Sequence, residues 1–122
     1  MFRHIVGSPL VVTAALSLIL SVGPVQAAEF TAAEAQKFFN DKHCNACHAA
    51  DEERIGPTYQ IIATRYAGAS PDKIDWLAKK IILGGAGAWG VVPMISYPGM
   101  SEEEAHKVAR WILKLYKPKP SS

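Results

Sequence analysis

The sequence predicts an all-α fold, and three observations carry that prediction. Four segments repeat apolar residues at the three- and four-residue spacing of a helix with one buried face. Three of them open on a serine or threonine placed as an N-cap. No convincing strand pattern of alternating apolar and polar residues accompanies them.

The first helix begins at Thr31, with Glu34 three residues on as the other half of a capping box. Ala35, Phe38 and Phe39 form its apolar face. The second runs from about Thr58 to Tyr66, with Tyr59, Ile62, Ala63 and Tyr66 in step, and stops at Gly68. Ser70-Pro71-Asp72 opens the third: an N-cap, a proline in the first turn and an acid that suits the helix dipole. Ile74, Leu77, Ala78 and Ile81 are its buried face, and Gly84 ends it. The last helix starts at Ser101, where Glu104 completes a second capping box and Glu102 to Glu104 favour the N-terminus. Ala105, Val108, Ala109, Ile112 and Leu115 make its stripe, and Pro118 is expected to stop it.

With 122 residues the chain has room for one domain. Its hydrophobic share, 49%, is concentrated toward the start. Residues 1–27 read as a cleaved secretory signal peptide: Arg3 and His4 supply a basic start, Val11 to Leu20 an apolar stretch, and Val25-Gln26-Ala27 a cleavage site. The competing reading, an uncleaved anchor, is weaker because the apolar run is shorter than the roughly 20 residues a spanning helix needs. The mature domain is then 28–122, exported to the periplasm. Loss of Arg3 leaves it nearly neutral, which argues against nucleic-acid binding. It also shows no polybasic patch for a membrane surface. A domain of this size folds alone with thin margins, so a buried prosthetic group would help supply its core.

The chain has two cysteines, and they stand in Cys44-Asn45-Ala46-Cys47-His48. Two thiols separated by two residues reach two vinyl groups on one porphyrin edge and form thioethers; the next residue then turns an imidazole to the iron. This is the attachment signature of haem c, with His48 as an axial ligand. A redox dithiol would want a βαβ context, and a zinc site built on these thiols with His43 and His48 would want a spaced second ligand pair. Neither is found in the sequence.

Between the third and fourth helices, Gly84 to Met100 is irregular and holds five glycines and two prolines. Stretches of that length without secondary structure are usually functional. Trp89, Met94 and Met100 lie in it. A thioether is a soft ligand suited to low-spin haem iron, so a methionine is expected in the sixth position, ahead of water or histidine. Met100 directly precedes the Ser101 cap and suits a hydrophobic staple on Ala105. Met94, in the middle of the loop, is the expected ligand. His43 and His106 read as surface histidines.

The residues 29–117 resemble a class I cytochrome c, in particular the short bacterial type (551/552). Phe39 resembles the family's N-terminal helix aromatic, and Trp111 the tryptophan of the C-terminal helix on which it packs. Ile55-Gly56-Pro57 resembles the turn whose proline carbonyl accepts a hydrogen bond from the ligand histidine, and that bond would orient His48. Trp89-Gly90-Val91-Val92-Pro93-Met94 resembles the ligand loop, which sets a tryptophan near a haem propionate and the methionine on the iron. His43 departs from the pattern, standing where this group often has glycine, and the segment after Met94 lacks the usual run of prolines. The resemblance implies a compact fold of about four helices around one covalent haem. It implies a monomeric carrier of single electrons between redox proteins of a respiratory or related chain, with closed coordination and no enzymatic activity. Contacts with those proteins would be transient and small, under about 1,200 Å².

Overall fold

The structure, a computed structural model, describes Gly7, Val22, Gly23 and residues 28–120. The signal-peptide segment lies almost wholly outside the described residues. Among the described residues there are four α-helices and one 3-10 turn: α1 (Ala32–Asp41), the turn Cys44–Ala46, α2 (Tyr59–Arg65), α3 (Pro71–Leu83) and α4 (Glu102–Leu113).

Each helix begins where its cap dictates. The Glu34 amide donates to Thr31 Oγ1 at 3.2 Å while Glu34 Oε2 accepts from the Thr31 amide at 2.8 Å. The same reciprocal pair joins Ser101 and Glu104 at 3.1 and 2.8 Å. Thr58 caps α2 through the Ile61 amide at 3.0 Å, and Ser70 caps α3, with Pro71 in its first turn. These bonds satisfy amides that have no partner inside the helix.

α4 is the element around which the others gather, packing most extensively on α3 and next on α2. Its buried stripe is Ala105, Val108, Ala109 and Ile112, the expected set save Leu115, which is only partly buried. Ala105 lets α3 come close: Ala105, Ala78 and Met100 form one buried cluster, so Met100 and Ala105 bracket the Ser101 cap as a hydrophobic staple. The second cluster joins α1 to α4. Ala35 and Phe39, four residues apart on one face, pack with Tyr59, Val108 and Ile112. Phe39 is 1% exposed, and its ring meets Trp111 edge-on with centroids 5.1 Å apart.

One boundary differs from the sequence expectation. α4 ends at Leu113, not at Pro118; the chain continues in single turns, with the Leu115 amide bonded to Ile112 O and Tyr116 to Leu113 O. Pro118 and Pro120 disfavour helical backbone at the residues before them. The last apolar contact, Leu115 on the Phe39 cluster, is made from the turn.

The long loop is tied to α3. Gly85 and Met94 exchange both backbone hydrogen bonds at 3.0 Å, an isolated antiparallel pair, and the Tyr97 amide bonds Ile82 O at 2.8 Å. Gly84 is left little room: a Cβ there would stand 2.4 Å from the Met94 carbonyl oxygen. The loop therefore folds back across the helices and presents its middle to their open face.

Candidate functional site

The site is built from the Cys44–His48 segment upward. α1 ends at Asp41, and His43 adopts a left-handed backbone, φ 59° and ψ 20°, that swings the chain into the 3-10 turn. Within that turn the amides of Cys47 and His48 both reach Cys44 O, at 3.1 and 3.0 Å. α2 is tied directly to the segment: the Tyr59 and Gln60 amides bond Ala49 O and Ala50 O. The two thiols are free, Cys44 buried and Cys47 partly so. Burial pushes the Cys44 thiol above its ordinary range, against a smaller opposing effect of the Tyr97 hydroxyl. Burial likewise raises Tyr97, helped by the neighbouring Cys44, to about 12.

His48 is fixed from three sides. Its Nδ1 donates to Pro57 O at 2.7 Å. A carbonyl only accepts, so this contact puts the proton on Nδ1 and leaves the lone pair on Nε2. Tyr59 stacks on the imidazole at 5.7 Å with 23° between planes. Gly56 closes the third side: its amide bonds Cys47 O at 2.7 Å, and a Cβ there would lie 2.6 Å from His48 Cε1.

All six residues singled out in the sequence line one cavity of about 260 Å³: Cys44, Cys47, His48, Pro57, Trp89 and Met94. Its other walls are mainly apolar, with Ile62, Leu77, Ile81 and Ile112 from the helices and Val92 and Ile95 from the loop among them. Met100 is not on that wall and stays in the α3–α4 cluster. His43 is exposed and outside the cavity. His106 bridges two helices instead: its Nδ1 faces Glu102 O at 2.6 Å and its Nε2 faces Asp75 Oδ1 at 2.7 Å. Among the described residues no three His, Cys, Asp or Glu side chains, Cys44, Cys47, His43 and His48 included, are grouped as a metal-holding set.

Two thiols and an imidazole with a free Nε2 on one side, a thioether from the loop, and apolar walls between them fit a covalently held haem. Two contributors are not legible in the sequence. Tyr59 was placed only as a face residue of its helix, although its hydroxyl also donates to Asn45 Oδ1 at 3.1 Å within the motif. Arg65 gave no signal, because its contacts lie 23 residues away.

The family model described as Cytochrome c matches residues 32–116, from the first turn of α1 to just past α4. Cytochrome c-552 of Hydrogenobacter thermophilus is 41% identical over 80 residues, covering 66% of this chain and 80% of that one. Cytochrome c-551 of Pseudomonas aeruginosa is 35% identical over 99 residues, covering 81% and 93%. The crystal structure of Nitrosomonas europaea cytochrome c552 superposes with a TM-score of 0.61 at 34% identity, over 66% of this chain and 98% of that one. With its helical architecture and its Cys44–His48 segment, the chain belongs to the cytochrome c family and has the all-α fold of the class I cytochromes c.

Proposed function

We propose that this cytochrome c is an exported monohaem carrier that passes single electrons between redox proteins of a respiratory or related chain. Cys44 and Cys47 would hold the haem through thioethers, and His48 and Met94 would be its axial ligands. When bound, the haem supplies an iron that cycles between the ferrous and ferric states. The observation that carries the reading is the convergence of both thiols, His48 and Met94 on one apolar cavity.

The chain's own residues do the tuning. Pro57 O accepts the hydrogen bond from His48 Nδ1–H, which fixes the ring and strengthens Nε2 as a ligand. A thioether from Met94 favours the ferrous state, and apolar walls that exclude water do the same. Trp89, on the cavity wall beside the loop glycines, is suited to a haem propionate. With His48 and Met94 both bound to it, the iron would have no position open to a substrate, so the reading is a carrier and not an enzyme. Ile55, Val91 and Ile95 line the cavity yet remain exposed, which supports brief apolar contact with redox proteins.

Export rests on the leader at 1–27, and points to the periplasm. No helix among the described residues is long and apolar enough to cross a membrane. The near-neutral mature charge offers nothing to nucleic acid, and the domain is expected to act as a monomer.

The test is the visible spectrum of the exported protein, oxidised and reduced, with carbon monoxide added to the reduced form. A closed His–Met site gives sharp reduced bands, a weak sulfur-to-ferric-iron band at the red end, and no response to carbon monoxide. Met94→Ala should keep the haem yet admit carbon monoxide, and Met100→Ala should not. The opposite pattern refutes the Met94 assignment, and a colourless protein refutes the haem.

A further inference from the structure

At one end the segment that carries Met94 is tied back by backbone bonds, those of Met94 with Gly85 just after α3 and of Tyr97 with Ile82 of α3. Between them, Gly85 to Pro93 contains a single large ring, Trp89, while Val91 and Val92 stand 91% and 61% exposed. What holds Trp89 is the last turn of α2. The Arg65 guanidinium lies over the Trp89 ring, 4.3 Å from its centroid, and Arg65 Nη1 donates to Ala88 O at 2.6 Å. The next residue, Tyr66, meets the same indole at 6.2 Å with 80° between planes. The last residue of α2 and its C-cap thus grip two adjacent loop residues.

We infer that Arg65 is a positioning residue of the electron-transfer site, a clasp that keeps the Trp89–Met94 loop closed over the cavity. It acts through Trp89 and Ala88 and is not among the cavity-lining residues. The chemistry suits arginine in particular. Its planar guanidinium can stack on an indole and donate along a fixed direction at once, which a lysine ammonium cannot. The other cations on this wall do not do this. Lys73 lies 4.5 Å from the Trp76 ring centroid and 6.0 Å from that of Tyr66, both on helices or their caps, so it binds nothing in the loop.

The functional part of the inference rests on Met94 being the iron ligand, and the test separates the two. Imidazole is added to the oxidised full-length holoprotein, and the rate of its entry is followed by the loss of the red-end sulfur band. Arg65→Ala should speed entry about five- to seventyfold, the sum of a stacked cation and one hydrogen bond, and lower the urea midpoint by no more than the same loss accounts for. Arg65→Lys should fall between, and Lys73→Ala should match wild type. Equal acceleration by Lys73→Ala, or no acceleration by Arg65→Ala, overturns the clasp. In parallel, hydrogen exchange is measured at the amides of Gly85, Gly87 and Met94, all bonded within the loop. Arg65→Ala should raise exchange there and leave α4 protected. If wild type shows no sulfur band, the Met94 assignment fails while the exchange result still decides the clasp.

Discussion

Gly84 and Gly68 both have positive φ, 66° and 70°, yet their surroundings differ completely, and replacing each with alanine separates backbone strain from contact. Gly68 follows α2 in open space, with nothing within 4 Å of a Cβ built there. Gly68→Ala should therefore cost only the left-handed conformation, about 1–2 kcal/mol. Gly84 caps α3 at ψ −150°, a region used almost solely by glycine, which costs an alanine about 1–3 kcal/mol. Its Cβ would also stand 2.4 Å from Met94 O and 2.8 Å from the Ile95 carbonyl carbon, which are backbone atoms that no rotamer change can move. Overpacking of that kind adds about 1–3 kcal/mol. Gly84→Ala is thus expected to lose about 2–6 kcal/mol, clearly more than Gly68→Ala, by urea unfolding of the holoprotein followed by far-ultraviolet circular dichroism. It should also expose the Met94 amide to hydrogen exchange, because relief of the clash means parting from Gly85. Equal losses for the two variants, with Met94 still protected, would refute the reasoning: the loop would yield to a methyl group at no cost, and Gly84 would not seat it.

Gly56→Ala lacks the left-handed backbone term, so it should act mainly through His48, with a looser contact on Cys47 O at 3.1 Å. With the ring anchored on Pro57 O, a methyl 2.6 Å from Cε1 should break the Nδ1 hydrogen bond, at about 1–3 kcal/mol; a downfield Nδ1–H resonance unchanged by the substitution would count against it. His43→Gly should stabilise by about 0.5–1 kcal/mol, since relief of the left-handed penalty exceeds the added freedom of the unfolded chain; an unmoved urea midpoint would show that the histidine fits that backbone without strain. His106 faces an acceptor with each ring nitrogen, a geometry that suits the imidazolium, and the Glu102 carbonyl, then Asp75, raise its pKa above 6.5. Arg110 opposes this from α4, while Lys79 of α3 shares a pocket with His106, Asp75 and Glu102. Its contribution is therefore full below about pH 6.5 and is lost as pH rises through the folded value. Asp75→Asn should lower the pKa read by proton NMR and flatten that part of the pH–stability curve, and an unshifted titration would refute the bridge.

What was legible in the sequence is what neighbouring residues decide among themselves. Thr31, Ser70 and Ser101 announce helix starts because the atoms they bond lie three residues away. Cys44, Cys47 and His48 are readable together because one porphyrin edge and its iron must be met within a single turn of chain. The placement of the two loop methionines could also be argued locally: the residue before a cap is committed to the staple, which puts Met100 with Ala105 and leaves Met94 for the cavity. Contacts across long separations could not be read this way. Arg65 and Ala88 are 23 residues apart, His106 and Asp75 31, and no periodicity links them. The end of α4 is only partly local: Pro118 bars helical backbone at Lys117, but nothing in the sequence places the stop as early as Leu113. The site divides along this line. The groups expected to bond the haem are specified by short motifs. The groups that hold those motifs in place, Tyr59 against His48 and Arg65 against Trp89, are specified only when the helices meet. Substitutions in the second set should therefore leave the haem attached and change how firmly its ligands are held, whereas substitutions in the first should change whether it is attached or ligated at all.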